Sequence, residues 1–301
     1  MTEVVVSVSA EVPLWRRVSN FPLVAMVIAA TLFIFASAVA NELMKLMPPM
    51  SVNGSAVARA VITIGLVLAV YKFVIVRLGD RPRDDLKIAT APAGIATGVL
   101  IGSVLFSAVV GVAALLHAYH IVGPGSTQEL VKDLAGMGVA SAFMEELLFR
   151  GILFRWIEEF GGSWVALIAT SLLFGLGHLF NPNATWLSSL AITVEAGVML
   201  AGAYMLTRSL WLPMGLHAAW NFTQGFIFGV PVSGEDVHGL VQAKLTGPVL
   251  LSGGAFGLEA SIIAVALCIP VGAAMIVLAV RHGHLVEPRW IWRSQPQNAR
   301  C

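Results

Sequence analysis

Charged residues are scarce in this sequence. Only 12% of its 301 residues are Asp, Glu, Lys or Arg, which is about half of the fraction usual in soluble globular domains. The formal net charge of +1 provides no basic excess for nucleic acid, so we expect no nucleic-acid partner. The two cysteines, Cys268 and Cys301, are too few for a disulfide framework or a cysteine metal site.

Long apolar blocks take the place of the missing charge. The chain is 57% hydrophobic and its mean hydropathy is +0.85. A bilayer core about 30 Å thick needs roughly 20 apolar residues per helical span. We therefore predict an all-α, polytopic protein in contact with the lipid bilayer. Its eight predicted transmembrane helices lie at about 21–44, 55–78, 93–117, 132–160, 163–180, 186–207, 211–230 and 252–280.

The distribution of positive charge predicts the orientation. All of the 18 Lys and Arg residues lie towards one side except four, which are Lys45, Arg59, Lys132 and Lys244. Because Lys and Arg favour the cytoplasmic side, we predict that both termini are cytoplasmic. We expect a multi-pass protein of a prokaryotic cell membrane.

The ends of the chain and its internal divisions give three further expectations. Ala38-Val39-Ala40 resembles a signal-peptidase site, but apolar character continues to Leu46, so we expect the first helix to be retained. Ser126 and Glu129 form a capping-box pattern that predicts a helix start near Ser126. We divide the chain into N-terminal helices (1–130), a core (131–230), and an outer loop, last span and tail (231–301).

A few ionisable residues fall inside the predicted spans. They are Glu145, Glu146, His178, Glu195 and His217. Such residues are costly in a membrane and indicate a functional site by default, although interhelical packing can also retain them. Glu195 has no obvious partner in the sequence, so we interpret it as structural.

The spacing of these residues predicts which of them meet. Glu146 and Arg150 are four residues apart and can pair on one helix face, whereas adjacent Glu145 points about 100° away. Gly161-Gly162 should turn the chain into a hairpin, with Glu145 and His178 at equal distances from the turn. We therefore expect these two side chains to lie at the same membrane depth.

A third polar group lies near the end of the core segment. His217 and Asn221 are four residues apart and share a helix face, where a hydrogen-bonded structural role is the alternative to function. Pro213 precedes them and could loosen the helix. A carboxylate, two imidazoles and an amide together suit hydrolysis by water.

These residues form three ordered motifs: Glu145-Glu146-x-x-x-Arg150, Phe174-x-x-x-His178 and His217-x-x-x-Asn221. At residues 135–225 the chain resembles the CPBP family of intramembrane glutamate proteases, which includes CAAX prenyl proteases and bacteriocin-processing proteins. The resemblance implies a membrane-embedded endopeptidase that hydrolyses a peptide bond.

The resemblance also implies a role for each matched residue. Glu145 would act as the general base that deprotonates water, and His178 would help to hold that water. His217 and Asn221 would stabilise the oxyanion. Glu146 would assist the positioning of water or substrate.

In the same scheme Arg150 gives structural support, and no cofactor or metal is needed. The partner would be a peptide or protein substrate, with a prenylated protein and CaaX-type C-terminal processing as one option. Glu145, His178 and His217 could instead bind zinc, although the sequence contains no H-E-x-x-H motif. A proton-coupled transporter and a non-catalytic membrane scaffold also remain as alternatives.

Overall fold

The computed structural model describes residues 13–79 and 83–290. These residues are mainly helical, which confirms the all-α membrane fold. The α-helices are α1 (Leu14–Ser19), α2 (Pro22–Lys45), α3 (Val52–Phe73), α4 (Ala91–Leu115), α5 (Leu130–Asp133), α6 (Ser141–Glu146), α7 (Arg155–Gly161), α8 (Ser163–Gly177), α9 (Trp186–Ile192), α10 (Val198–Thr207), α11 (Trp211–Phe222), α12 (Val249–Ser252) and α13 (Ile262–Arg281).

Several shorter elements connect these helices. The π-helical segments are Leu134–Ala140, Leu147–Phe154, Thr193–Gly197 and Thr223–Ile227. The 3-10 turns are Ile75–Arg77, Ile88–Thr90, His178–Phe180 and Leu258–Ala260. Strands β1 (Tyr119–Pro124) and β2 (Val241–Leu245) form a small antiparallel sheet.

Six helices of the described residues are long and apolar enough to cross a membrane. They are Pro22–Lys45, Val52–Arg77, Ile88–Leu115, Ser163–Phe180, Trp186–Thr207 and Ile262–Arg281. They correspond to six of the eight predicted spans. The other two segments, 130–161 and 211–227, are also helical. The total of eight spans and the orientation stay predictions, and Arg81, Arg293 and Arg300, which contribute to the orientation, lie outside the described residues.

The capping box predicted at Ser126 was wrong, whereas the predicted span 132–160 starts within two residues of the observed helix. The helix begins at Leu130, and the Ser126 hydroxyl accepts a hydrogen bond from the Gln128 N–H instead of capping a helix. Glu129 pairs with Lys132 at 2.7 Å, and this pairing lowers the pKa of the Glu129 carboxyl. The three-part division of the chain stays a prediction.

The predicted hairpin forms at Gly162, which lies between α7 and α8. Its φ of +83° is in the region that favours glycine, and an added Cβ would lie 2.9 Å from the Val286 carbonyl oxygen. The turn runs α8 back along the helical segment 130–161. The first two motifs are thereby placed on neighbouring helices.

The third motif is held by close packing of α11 against α4. A Cβ on Gly98 would lie 2.4 Å from the Leu212 carbonyl oxygen, and a Cβ on Gly215 would lie 2.7 Å from the Ile95 carbonyl oxygen. Small residues allow such close approach of two helix backbones in a membrane. This packing fixes the position of α11, which carries His217 and Asn221.

A second buried group of charges lies near the Gly162 turn. Glu158 contacts Arg208 at 2.6 Å and Arg83 at 3.7 Å. Tyr204 donates to Asp85 at 3.1 Å, and Arg83 also pairs with Asp85. These contacts join the segment after residue 82 to α7 and α10, away from the three motifs.

Candidate active site

Glu145 lies at the centre of the candidate site. The Ser141 hydroxyl, one helical turn earlier, donates a 2.8 Å hydrogen bond to Glu145 Oε1. The second oxygen, Oε2, lies 4.0 Å from His178 Nε2 and 4.0 Å from His217 Nε2. The three motifs therefore meet around one carboxylate oxygen.

These 4.0 Å separations are too long for direct hydrogen bonds, but they suit a bridging water. A water that makes two hydrogen bonds of about 2.8 Å separates its partners by roughly 4.0–4.6 Å, depending on the angle at its oxygen. The Glu145 side chain is 31% exposed, but its Oε2 atom is buried and has no hydrogen-bond partner within the described residues. The geometry can hold a water between Glu145 and either imidazole.

The ring of His178 is oriented by its own helix. His178 follows the end of α8, and its Nδ1 donates to the Phe174 carbonyl oxygen at 2.8 Å. The Phe174 ring packs against the imidazole at a centroid distance of 4.8 Å. If the imidazole is neutral, Nε2 is then a hydrogen-bond acceptor that faces Glu145.

Glu146 and Arg150 form the predicted ion pair, at 2.8 Å and with both side chains fully buried. Glu146 Oε1 also accepts a 2.9 Å hydrogen bond from His217 Nδ1. Arg150 donates to the Gly197 carbonyl oxygen at 3.1 Å, and its guanidinium lies 4.6 Å from the Phe174 ring centroid. Glu146 Oε1 is thus occupied by its contacts with Arg150 and His217. Glu145 Oε2, in contrast, has no hydrogen-bond partner within the described residues.

The Glu146 contact determines what His217 can do. Because a carboxylate accepts the Nδ1–H of His217, Nε2 is the nitrogen that faces Glu145. A water has only two protons, so it can donate to only two of the three groups Glu145, His178 and His217. If it donates to Glu145 and His178, His217 is free to act as a donor, provided that it is an imidazolium.

Asn221 lies one turn after His217 and is buried with it. One N–H of its amide donates to the Met137 carbonyl oxygen at 3.2 Å, in a π-helical segment. An amide has two N–H donors, so the other is available to a ligand. His217 and Asn221 line the same small cavity.

The site opens into a polar cavity of about 300 Å³. Its wall contains Asp133, Glu145, His178 and Asn221 together with the loop 232–237. Asn181 Nδ2 donates to the Ser233 carbonyl oxygen at 3.1 Å and so ties this loop to the end of α8. The loop therefore covers a cavity that is large enough for part of a peptide.

Comparison with known proteins agrees with this architecture. Residues 127–223 match the model of a family described as "Type II CAAX prenyl endopeptidase Rce1-like". The chain is 25% identical over 191 residues to "Putative membrane peptidase YdiL" of Bacillus subtilis (strain 168), over 60% of this chain and 70% of that protein. Both matches support the resemblance to Rce1-like membrane proteases that the three motifs predicted. No solved structure matches it.

The matched segment contains all three motifs. Sequence reasoning missed Ser141 as a site residue, although its position four residues before Glu145 placed both on one helix face. It also missed the loop 232–237, because nothing in the local sequence indicates that the loop folds back over the motifs. Glu195, interpreted as structural, lies in a cavity beside His217.

Glu145, His178 and His217 are the groups that could hold a metal here. Ligand atoms about 2.1 Å from a tetrahedral zinc lie roughly 3.4 Å apart. The 4.0 Å separations are wider, and residues 13–79 and 83–290 contain no group of His, Cys, Asp and Glu arranged to hold a metal ion. The metal-free scheme stays a prediction.

Proposed function

We propose that this Rce1-like protease hydrolyses a peptide bond with Glu145 as the general base and without a metal. The observation that supports this most is the position of Glu145 Oε2, which lies 4.0 Å from both imidazoles. Glu145 removes a proton from a water while the water oxygen attacks the scissile carbonyl carbon. His178 Nε2 accepts the other proton of that water in a hydrogen bond and orients it.

The tetrahedral intermediate needs donors for its negatively charged oxygen. His217 Nε2–H and the second N–H of Asn221 supply them from one face of α11. Glu146 orients His217, and Arg150 fixes Glu146. Each donor of this kind contributes about 3–4 kcal/mol to stabilisation of the transition state.

Collapse of the intermediate completes the reaction. The proton on Glu145 passes to the nitrogen of the scissile amide, the C–N bond breaks, and an amine and a carboxylic acid are formed. Glu145 returns to its carboxylate form. The proton that Glu145 takes from water is thereby transferred to the amine, and the second proton of the water stays on the carboxylic acid.

We also propose that the substrate is a CaaX-type C-terminal peptide with a prenyl group, in a prokaryotic cell membrane. An apolar cavity of about 550 Å³ lies between α4, α11 and the helix that carries Glu145, lined by residues such as Val99, Phe143 and Phe222. It reaches Ala218 and Ala219, which adjoin His217. A farnesyl chain would bury its apolar surface in such a cavity.

The test is cleavage of a farnesylated CaaX peptide and of its unlipidated form by the purified protein in lipid nanodiscs. We expect a lower KM for the farnesylated peptide and no cleavage by Glu145→Gln. Equal kcat/KM values for both peptides would contradict the prenyl preference alone. If neither peptide is cleaved and no peptide of a library is cleaved, the protease mechanism is contradicted.

Zinc catalysis stays the alternative mechanism, and it requires Glu145, His178 and His217 to move closer together than their 4.0 Å separations. In that case His217 would bind the metal through Nε2, and Glu146 would orient it through Nδ1. Asn221 would then have no contact with the metal. Metal analysis of active protein distinguishes the two mechanisms.

A further inference from the structure

The polar cavity at Glu145 has an acidic wall that the proposed mechanism does not use. Besides Glu145, three carboxylates line this cavity of about 300 Å³: Asp133, Glu235 and Asp236. Lys132 is the single Lys or Arg among the described residues that line it. The charge of the wall is therefore mainly negative, and it favours a positively charged ligand over an anion.

Asp133 is the buried member of this acidic wall. Its side chain is only 5% exposed, and its Oδ2 atom has no hydrogen-bond partner within residues 13–79 and 83–290. A buried carboxylate oxygen without a donor costs stability. Because this carboxylate lies in the wall of a cavity, the missing donor can come from a ligand.

Lys132 does not supply the missing donor. Its Nζ lies 2.7 Å from Glu129 Oε2 but 3.9 Å from Asp133 Oδ1, so its hydrogen bond is made with Glu129. Glu235 and Asp236 differ from Asp133, because both are exposed and water can solvate them. Asp133 is therefore the carboxylate of this wall that gains most from a bound cation.

The shape of the core helix places Asp133 and Glu145 on one side. In a regular α-helix, residues twelve positions apart differ in direction by about 120°. The π-helical segment Leu134–Ala140 lies between these two residues. A π-bulge adds one residue to a helical turn, which reduces the difference to about 20°. Both carboxylates consequently line the same cavity.

The length of this segment limits where the cation lies on a substrate. Twelve residues with a rise of 1.5 Å each separate Asp133 and Glu145 by at most about 18 Å along the helix. An extended peptide advances about 3.3 Å per residue, so this distance corresponds to about five residues. Val237 also borders a second cavity of about 560 Å³, which is lined by Glu129 and Val241. A peptide therefore has room to continue past Asp133.

The composition of the cavity favours an organic cation over a metal ion. Within residues 13–79 and 83–290, no group of three His, Cys, Asp or Glu residues is arranged to hold a metal ion. An ammonium or guanidinium group brings its own N–H donors and can bind a single carboxylate. The methylene groups of a Lys or Arg side chain can also pack against Met137 and Val232, which line the same cavity.

We propose that Asp133 determines substrate specificity by binding a Lys or Arg side chain that lies within about five residues of the scissile bond. This inference rests on the proposed function, because it assigns a side chain to the peptide that Glu145 cleaves. Asp133 makes the direct, charge-assisted hydrogen bond. Glu235 and Asp236 attract the cation from the exposed side of the cavity.

The first experiment digests a library of N-acetylated peptides with full-length wild type and Asp133→Asn in nanodiscs, and mass spectrometry identifies the cut sites. N-acetylation removes the α-amine, so a preferred cation must be a side chain. We expect wild type to select Lys or Arg at one position near the cut site. Asp133→Asn should lose this selection, with KM for a Lys peptide raised about 10-fold because a hydrogen bond between charged groups is lost.

Two control variants separate recognition from general effects of charge and folding. Asp133→Glu keeps a carboxylate and should keep the preference for Lys and Arg. Glu42→Gln removes an exposed carboxylate that does not line the cavity, and it should also keep the preference. Thermal unfolding of each variant without peptide shows that it is folded. Equal cleavage of Lys peptides and their Gln counterparts by wild type would overturn the proposal, and so would a preference that survives in Asp133→Asn.

The second experiment measures binding without turnover. Fluorescence anisotropy compares N-acetylated nonapeptides that differ only in a central Lys or Gln, with Glu145→Gln and Glu145→Gln/Asp133→Asn as the proteins. We expect about 10-fold tighter binding of the Lys peptide by the first protein and equal binding of both peptides by the second. Selective binding without any cleavage would refute the protease mechanism alone, whereas cleavage without this selectivity would refute the role of Asp133 alone.

Discussion

The substitution Glu145→Gln tests the centre of the proposed mechanism. The Ser141 hydroxyl can donate to the amide oxygen of Gln as it does to Glu145 Oε1, so the fold should be kept. The amide, however, cannot take a proton from water. The neighbouring Glu146 cannot replace it, because Glu146 is held by Arg150 at 2.8 Å and by His217 at 2.9 Å.

The size of the loss follows from these contacts. A positioned general base contributes 10²- to 10⁴-fold to the rate, which corresponds to about 2.7–5.4 kcal/mol in the barrier. We expect kcat of Glu145→Gln to fall at least 100-fold, with KM changed little, since the amide and the carboxylate have the same shape. His178 alone is a poor substitute, because its Nδ1–H is already donated to Phe174.

The assay is continuous cleavage of a fluorogenic peptide by wild type, Glu145→Gln and Glu42→Gln in the same nanodiscs. Thermal unfolding of each protein shows whether it is folded, and Glu42→Gln controls for the loss of one negative charge. If folded Glu145→Gln turns over within threefold of wild type, Glu145 is not the base. The proton must then go to another group, and the proposed mechanism fails.

Three further predictions concern the support of the site. Arg150→Ala should lower the yield of folded protein, because Glu146 would be left as a buried, uncompensated charge at a cost of about 3–5 kcal/mol. Size-exclusion chromatography measures the yield of folded protein, and a normal yield would contradict this prediction. Ser141→Ala should lower kcat about 10-fold by removing a hydrogen bond to a charged group. Ser37→Ala in α2, which removes only a bond to the Phe33 carbonyl oxygen, should not change kcat, and equal rates for the two variants would remove Ser141 from the site. Elemental analysis of active protein should find no stoichiometric metal, and activity should survive chelator treatment followed by dialysis. If activity is lost and added zinc restores it, the zinc-dependent mechanism is established instead.

The sequence by itself determined the membrane class and most of the helices. Apolar blocks of about 20 residues leave a helix as the only way to satisfy the backbone in lipid, so six predicted spans match helices that the structure describes. The ion pair of Glu146 and Arg150 was also predictable, because a four-residue spacing fixes which side chains share a helix face. These are local properties of the chain.

Other features depended on tertiary structure. The contact of His217 with Glu146 joins residues 71 positions apart, and it arises only because α11 packs closely on α4 and against the core helix. The cavity that joins Asp133 and Glu145 to the loop 232–237 likewise depends on the packing of separate segments. Periodicity indicates which face of one helix is polar, but packing between helices decides which polar faces meet.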